Sequence, residues 1–266
     1  MKIGVVGCAG RMGRMLVAEI LANKGCELAG GTEMVGSPAI GQDVAVLAGE
    51  PESGLQVGDD AGALMAVADL VVDFTVPDAT AAHARQAAEH ATAMVIGTTG
   101  LSAEQQALIH ALARKAPVVQ AANMSVGINL LLGLTEQVAK SLGDDFDIEI
   151  LEMHHRHKID APSGTALALG DAAAKGRQVD LAAVAQRVRD GHTGERKPGD
   201  IGFATLRGGD VAGEHSVIFA GEAEQIVLSH KATSRAIFVR GAIRAALWTE
   251  GRPPGLYSMR DVLGLT

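Results

Sequence analysis

The chain is poor in aromatic residues: five Phe, one Tyr and one Trp make up 3% of 266 residues. It also lacks a basic excess, since 23 Lys+Arg stand against 31 Asp+Glu for a net charge of −8. Nucleic-acid binding needs a basic face and often stacking rings, so no nucleic-acid partner is expected. Only two cysteines occur, Cys8 and Cys26, with no C-x-x-C spacing. That excludes a disulfide framework. No apolar run approaches the roughly 18 residues of a membrane span, so no membrane partner is expected. Val5-Val6-Gly7-Cys8 is a superficial match to a lipoprotein cleavage box. Too little apolar sequence precedes Cys8 for a signal h-region, which needs about 7–15 residues. The expectation is a soluble cytoplasmic protein with reduced thiols. Repeats and low-complexity tracts are missing as well.

Glycine and small apolar residues are plentiful. There are 33 glycines, and 47% of the chain is hydrophobic against 20% charged. Such a composition builds a real core with many tight turns. Residues 2–7 read as a short buried strand rich in β-branched side chains, and strand-like runs recur at 69–75, 93–98 and 117–121. Between them lie helical stretches. Met12, Leu16 and Ile20, with Val17 and Leu21, form one helical face that ends at Asn23-Lys24-Gly25. Residues 79–91 and 102–115 are alanine-rich, and Ser102 with Gln105 makes a capping box. Strand and helix in alternation predict an α/β, Rossmann-like, doubly wound parallel sheet.

The pattern changes after residue 125. A long helix is expected over 124–143, a strand over 147–153, and helical sequence again from Thr165. Residues 191–202 form a glycine- and charge-rich loop. Strand-like runs then follow at 201–207, 215–220 and 225–230. Consecutive strands predict a second, α+β domain with an open mixed or largely antiparallel sheet. A last helix over 234–248 carries Arg235, Arg240 and Arg244 on its polar side. The expected domains are 1–125, completed by 235–266, for dinucleotide binding, and 126–234 for substrate binding and oligomerisation.

Gly7, Gly10 and Gly13 stand where the first strand becomes a helix. Backbone without Cβ lets a pyrophosphate approach the amides, and the helix N-terminus offers unpaired N–H groups. The spacing is G-x-x-G-x-x-G, with Ala9 where a further glycine is more usual. Glu33 follows 20 residues beyond Gly13, where the ribose-binding acid of such folds is expected. Met34 stands next to it instead of a base, while Arg11 and Arg14 are near, so NADH and NADPH both stay open. Gly97-Thr98-Thr99-Gly100 and Ala121-Ala122-Asn123-Met124-Ser125 end two other strands and line the same expected cleft.

The segment from Glu152 to Ala166 concentrates His154, His155, Arg156, His157 and Lys158 directly after a strand. Pro162, Ser163, Gly164 and Thr165 then open a helix, with Ser163 as the expected cap. Cations beside a helix N-terminus hold anions, and more than one carboxylate fits. Histidine supplies a proton donor near neutrality. His-His-x-His at a strand end lacks metal-ligand spacing, so no metal is expected.

At this point the chain resembles the dihydrodipicolinate reductase family. The likeness runs through the glycine turn, Asp73-Phe74-Thr75, Val95 to Gly100, Ala122-Asn123, Glu152 to Ala166, His192-Thr193-Gly194-Glu195-Arg196, residues 201–210 and His230-Lys231-Ala232. The resemblance implies that Gly7, Cys8, Ala9, Gly10, Arg11 and Met12 hold the pyrophosphate of NADH or NADPH, with Glu33 and Met34 at the ribose. It implies that Gly97, Thr98, Thr99, Ala121, Ala122, Asn123 and Met124 line the nicotinamide. His154 becomes the proton donor/acceptor and Lys158 a second proton donor. His155, Ser163, Gly164 and Thr165 would bind the carboxylates of a small dicarboxylate substrate. The implied reaction reduces 4-hydroxy-tetrahydrodipicolinate or its dehydrated form to tetrahydrodipicolinate, on the route to diaminopimelate and lysine. A homotetramer with the second sheet at its contacts is implied too, along with a cleft between the domains that closes on ligand. Three other readings stay open on the residues alone: a lyase with Lys158 as Schiff-base nucleophile, another oxidoreductase of amino-acid substrates, and a nicotinamide sensor.

Overall fold

The computed structural model describes residues 1–265. The chain divides into two compact units, Met1–Val126 with Ala236–Thr266, and Gly127–Arg235. In chain order the elements are β1 (Lys2–Val6), α1 (Arg11–Ala22), β2 (Glu27–Thr32), α2 (Val44–Leu47), α3 (Ala61–Val67), β3 (Leu70–Asp73), α4 (Pro77–His90), β4 (Ala93–Ile96), α5 (Ala103–Ala113) and β5 (Pro117–Gln120). Next come α6 (Val126–Leu142), β6 (Asp147–His154), α7 (Gly164–Arg177), α8 (Leu181–Val184), β7 (Ala185–Gln186), β8 (Ile201–Arg207), β9 (Gly213–Ala220) and β10 (Gln225–Ala232). The chain closes with α9 (Ala236–Trp248), β11 (Gly255–Tyr257) and α10 (Met259–Leu263).

The first unit holds an all-parallel sheet ordered β11-β5-β4-β3-β1-β2. Its central strands are buried on both faces, as continuous runs such as Leu70-Val71-Val72 require. One core cluster packs Ile3, Val5, Val72 and Val95 against Leu16, Val17 and Ile20 of α1 and Val239, Ala242 and Ile243 of α9. The other packs Val71, Met94, Ile96 and Val118 against Leu64, Ala84, Ala87, Ile109 and Leu112. The doubly wound arrangement expected from the alternation is therefore present. Ser102 caps α5 in the expected reciprocal box with Gln105. β11 adds a sixth strand that no sequence signal announced, because three residues are too few to show a period.

The second unit holds a mixed sheet ordered β10-β9-β6-β8-β7. β9 pairs antiparallel with both β6 and β10, whereas β8 runs parallel to β6 and to β7. Strand alternation gives this sheet two unlike faces. Ile148, Ile150, Ile201, Phe203, Val217 and Phe219 pack with Leu131, Ala139, Ala166, Leu169 and Ala173 of α6 and α7. On the opposite face, register brings Leu151, Met153, Ala204, Leu206, Ile218 and Val227 to one side. Leu206 and Val227 there are about half exposed.

Candidate active site

In the first unit, the glycine turn owes its shape to close backbone approach. Gly7 takes φ +68°, and a Cβ on it would lie 2.7 Å from Thr75 Cγ2. A Cβ on Gly13 would lie 2.1 Å from Gly7 O, so only glycine lets α1 pack this tightly. Gly10 is the N-cap of α1 and brings no capping side chain. The first-turn amides thus face a space that an anion can fill. Glu33, at the end of β2, accepts from the Ala9 amide at 2.9 Å and from its neighbour Met34 N at 3.3 Å. That bond places a carboxylate beside the turn. Gly7, Glu33, Met34, Thr75, Ala79 and His83 line a cleft of about 430 Å³. These features fit a dinucleotide: an open helix start for the pyrophosphate, an acid for a ribose and an apolar-walled cleft beyond it.

Gly97, Thr98 and Thr99 follow β4, and Ala121 to Met124 follow β5, the adjacent strand. Both groups stand at the carboxyl edge of the sheet, where Gly97 N donates to Asp73 O and Ala121 N to Ile96 O. Three side chains in the expected cofactor set turn inward. Cys8 is buried against Gly31, and burial, helped by the Glu33 charge, pushes its thiol up to about 11. Met124 lies in the core, and Thr98 is buried in a hydroxyl network. Such residues present backbone, not side chain, to a ligand. Asn123 Oδ1 accepts from Ser125 N at 2.9 Å and folds the turn after β5.

That hydroxyl network centres on Asp73, which is completely buried. Its Oδ1 accepts from Thr75 N at 2.8 Å and Thr75 Oγ1 at 2.6 Å, with Thr98 Oγ1 at 3.5 Å. Its Oδ2 lies 2.8 Å from His83 Nδ1. Sequence reasoning gave neither Asp73 nor His83 a role, since a strand end and a helix ten positions later meet only through the β3–α4 turn.

In the second unit, the helix-covered face of the sheet is apolar at one end and polar at the other. Glu152 and His154 of β6, Arg207 of β8, and His215 of β9 share that face at the polar end. Glu152, at 1% exposure, is the hub. Arg207 donates to both its oxygens at 2.8 and 2.9 Å, His154 Nδ1 lies 2.5 Å from Oε2, and Ser163 N donates to Oε1 at 3.0 Å. Burial alone would raise this carboxyl; the hydrogen bonds from Arg207, His154 and Ser163 outweigh it and hold the group below the usual carboxylate range. Glu152 is therefore a charged acceptor, and His154 offers it Nδ1–H.

Ser163 is the N-cap of α7, its Oγ accepting from Ala166 N at 3.2 Å, as the sequence predicts. The same hydroxyl sits 3.1 Å from His215 Nε2. His215 packs edge-on against His154, with ring centroids 5.0 Å apart. Burial, then the neighbouring His154 charge, pushes its pKa down to about 4. At Gly164 a Cβ would meet nothing within 4 Å, so open space stands at the helix start beside Thr165. Lys158 Nζ is bound by both Asp160 oxygens at 2.8 and 2.9 Å. His155 Nδ1 is buried and has no hydrogen-bond partner among the described residues. Glu152, Arg207 and His215 were the unassigned members of this site. Glu152 was within reach of the sequence, two positions before His154 on a strand; the other two come from strands more than 50 residues away.

A Rossmann-like sheet with a glycine turn and an acid beside it, in a chain with a second mixed-sheet unit, defines an NAD(P)H-dependent oxidoreductase. Residues 1–124 match the family model described as dihydrodipicolinate reductase, N-terminus, and residues 127–263 match its C-terminus counterpart. The chain belongs to the dihydrodipicolinate reductase family. A 4-hydroxy-tetrahydrodipicolinate reductase of Rhodopseudomonas palustris (strain HaA2) is 58% identical over all of this chain and 98% of its own length. One from Afipia carboxidovorans is 57% identical over 100% and 97%. Among solved structures, a dipicolinate-bound dihydrodipicolinate reductase from Paenisporosarcina sp. TG-14 shares the fold, with TM-score 0.78, 24% identity and 98% of each chain covered. Among the described residues, no helix is long and apolar enough to cross a membrane.

Proposed function

We propose that the chain reduces 4-hydroxy-tetrahydrodipicolinate, or the dihydrodipicolinate formed from it by loss of water, to tetrahydrodipicolinate. The observation that carries this reading is the Glu152 hub. A buried carboxylate fixes His154 beside a helix start that has room for an anion, in a chain whose relatives carry this reductase name. When bound, NADH or NADPH supplies the hydride for ring C4. Gly7 to Met12 hold the pyrophosphate, Glu33 accepts from ribose hydroxyls, and Gly97 to Thr99 with Ala121 to Met124 border the nicotinamide. In the second unit, the α7 N-terminus at Gly164 and Thr165 binds one substrate carboxylate, with His155 contributing a donor.

Proton transfer belongs to His154 and Lys158. Glu152 accepts a hydrogen bond from His154 Nδ1–H, which leaves Nε2 as the exchanging atom and stabilises the imidazolium when it forms. Asp160 holds the Lys158 ammonium within the loop until a substrate carboxylate competes for it. General acid–base help of this kind is worth about a hundred- to ten-thousand-fold in rate. The Ser163 bonds to Glu152, Ala166 and His215 fix strand, helix start and loop relative to one another, so the donors need little reorganisation.

The same reading makes the second unit's open sheet face an oligomer contact, in a homotetramer. Leu151, Met153, Leu206, Ile218 and Val227 form the apolar patch that such a contact would cover. It places the protein in the cytoplasm, where the free thiols of Cys8 and Cys26 stay reduced. One assay tests the activity. The purified protein is mixed with NADH or NADPH and freshly made product of dihydrodipicolinate synthase, and the reduced-nicotinamide absorbance is followed. Decay that needs both components is expected; a flat trace refutes the proposal.

A further inference from the structure

The cleft beside Glu33 is lined by polar side chains that the reaction does not use, Asp59, Thr75, His83 and Gln86. His83 lines it from α4, with Nδ1 committed to Asp73 Oδ2 at 2.8 Å. Among the described residues Nε2 makes no hydrogen bond, and it is not among the buried unpartnered atoms. The surrounding wall is made by Met34, Val35, Val76, Ala79 and Ala82. Apolar side chains rimmed by His83, Gln86 and Asp59 suit a flat heterocycle that carries polar atoms on its edge.

Asp73 sets what that edge asks for. Its Oδ1 already accepts from the Thr75 amide and hydroxyl, so the carboxylate is an acceptor, and its Oδ2 accepts a hydrogen bond from Nδ1–H. The tautomer with its hydrogen on Nδ1 has its acceptor lone pair at Nε2. We propose that His83, oriented by Asp73, is the base-reading residue of the cofactor site, accepting from the exocyclic amino group of adenine and rejecting 6-oxopurines. This deepens the reductase reading and rests on its nicotinamide cofactor. A 6-oxo group would set lone pair against lone pair in a partly dry pocket. A site built to hydrogen-bond one partner discriminates strongly against an analogue that cannot reciprocate.

The test compares NADH with reduced nicotinamide hypoxanthine dinucleotide at pH 8.5, by steady-state rates and by nicotinamide-fluorescence titration. Wild type should favour NADH by about ten- to a hundred-fold in kcat/KM and in Kd. His83→Phe should bring the ratio to within about threefold, chiefly through weaker NADH binding. Asp73→Asn is the sharper probe. Its carbonyl must stay opposite the Thr75 N–H, so its amide N–H₂ faces Nδ1 and moves the ring proton to Nε2. The preference should then invert toward the hypoxanthine cofactor. A folded Asp73→Asn protein, judged by its melting transition, that loses both cofactors equally overturns the proposal. So does wild type with equal affinities, or His83→Phe with an unchanged ratio. A base preference in the titration without turnover of the dicarboxylate would refute the reductase reading and leave this one standing.

Discussion

Replacing Glu152 with glutamine keeps size and planarity while removing the charge at the centre of the second unit's site. The carboxylate accepts two Arg207 N–H groups, the Ser163 amide and His154 Nδ1–H. Glutamine retains one acceptor oxygen and turns an N–H₂ group toward Arg207 together with either His154 or the Ser163 amide, all of them donors. Two charge-assisted bonds are lost, each worth about 1.5–3 kcal/mol. A buried pair broken from one side costs about 3–5 kcal/mol in all. For a chain of this size, roughly 2–4 °C of Tm follows each kcal/mol, so Glu152→Gln should melt about 6–20 °C lower. The imidazolium form of His154 loses its counter-charge as well, and kcat should drop about a hundredfold or more while NADH affinity holds. Scanning calorimetry, initial rates and a cofactor titration read the three quantities. A Tm within about 2 °C of wild type together with kcat within about threefold would show that the hub neither anchors nor activates.

Lys158→Ala should depress turnover by about two orders of magnitude while NADH binding stays near wild type; equal loss of both in rates and titration would make the segment structural. Glu33→Ala should weaken NADH more than NADPH, because the carboxylate accepts from a free 2′-hydroxyl and repels a 2′-phosphate; equal effects in fluorescence titrations would remove the ribose assignment. His215 gives stability a pH dependence. Its folded pKa of about 4 lies below the ordinary 6.5, so the unfolded chain binds the extra proton first, and stability falls as pH drops from about 7 toward 4. The full loss from this group is about 3 kcal/mol. His215→Asn should show a shallower decline of Tm over that window, and parallel curves would contradict the assignment.

The sequence shows what is periodic and local. Alternating buried strands and helices, the Gly7-Gly10-Gly13 turn, and the Ser102 and Ser163 caps all depend on neighbours a few positions away, and the structure has them. Short elements escaped: β11 and α10 are held by packing at the sheet edge, with too few residues to display a pattern. The site was half legible. His154 and Ser163 stand out by type and position, but Arg207 and His215 reach Glu152 only through the parallel β6–β8 and antiparallel β6–β9 registers. Asp73 and His83 meet only because the β3–α4 turn folds the helix back beside the strand end. In the opposite direction, Cys8, Thr98 and Met124 sit where a cofactor residue is expected, and side-chain burial turns each of them into scaffold.

The two-faced sheet of the second unit makes alignment between strands a functional quantity. His215 faces the helices only because β9 pairs Glu152 with it; its neighbours Glu214 and Ser216 point the other way. A slip of one position would hand the histidine to the open side and bury an acid in its place. The alignment is pinned partly at the far end of the β9–β10 hairpin, where Gly221 N donates to Glu224 O and Ala223 takes φ +63°. Damage to that remote bend should therefore be felt as lost chemistry before it is felt as lost folding, and tolerance to change along this hairpin will not follow proximity to the reacting groups.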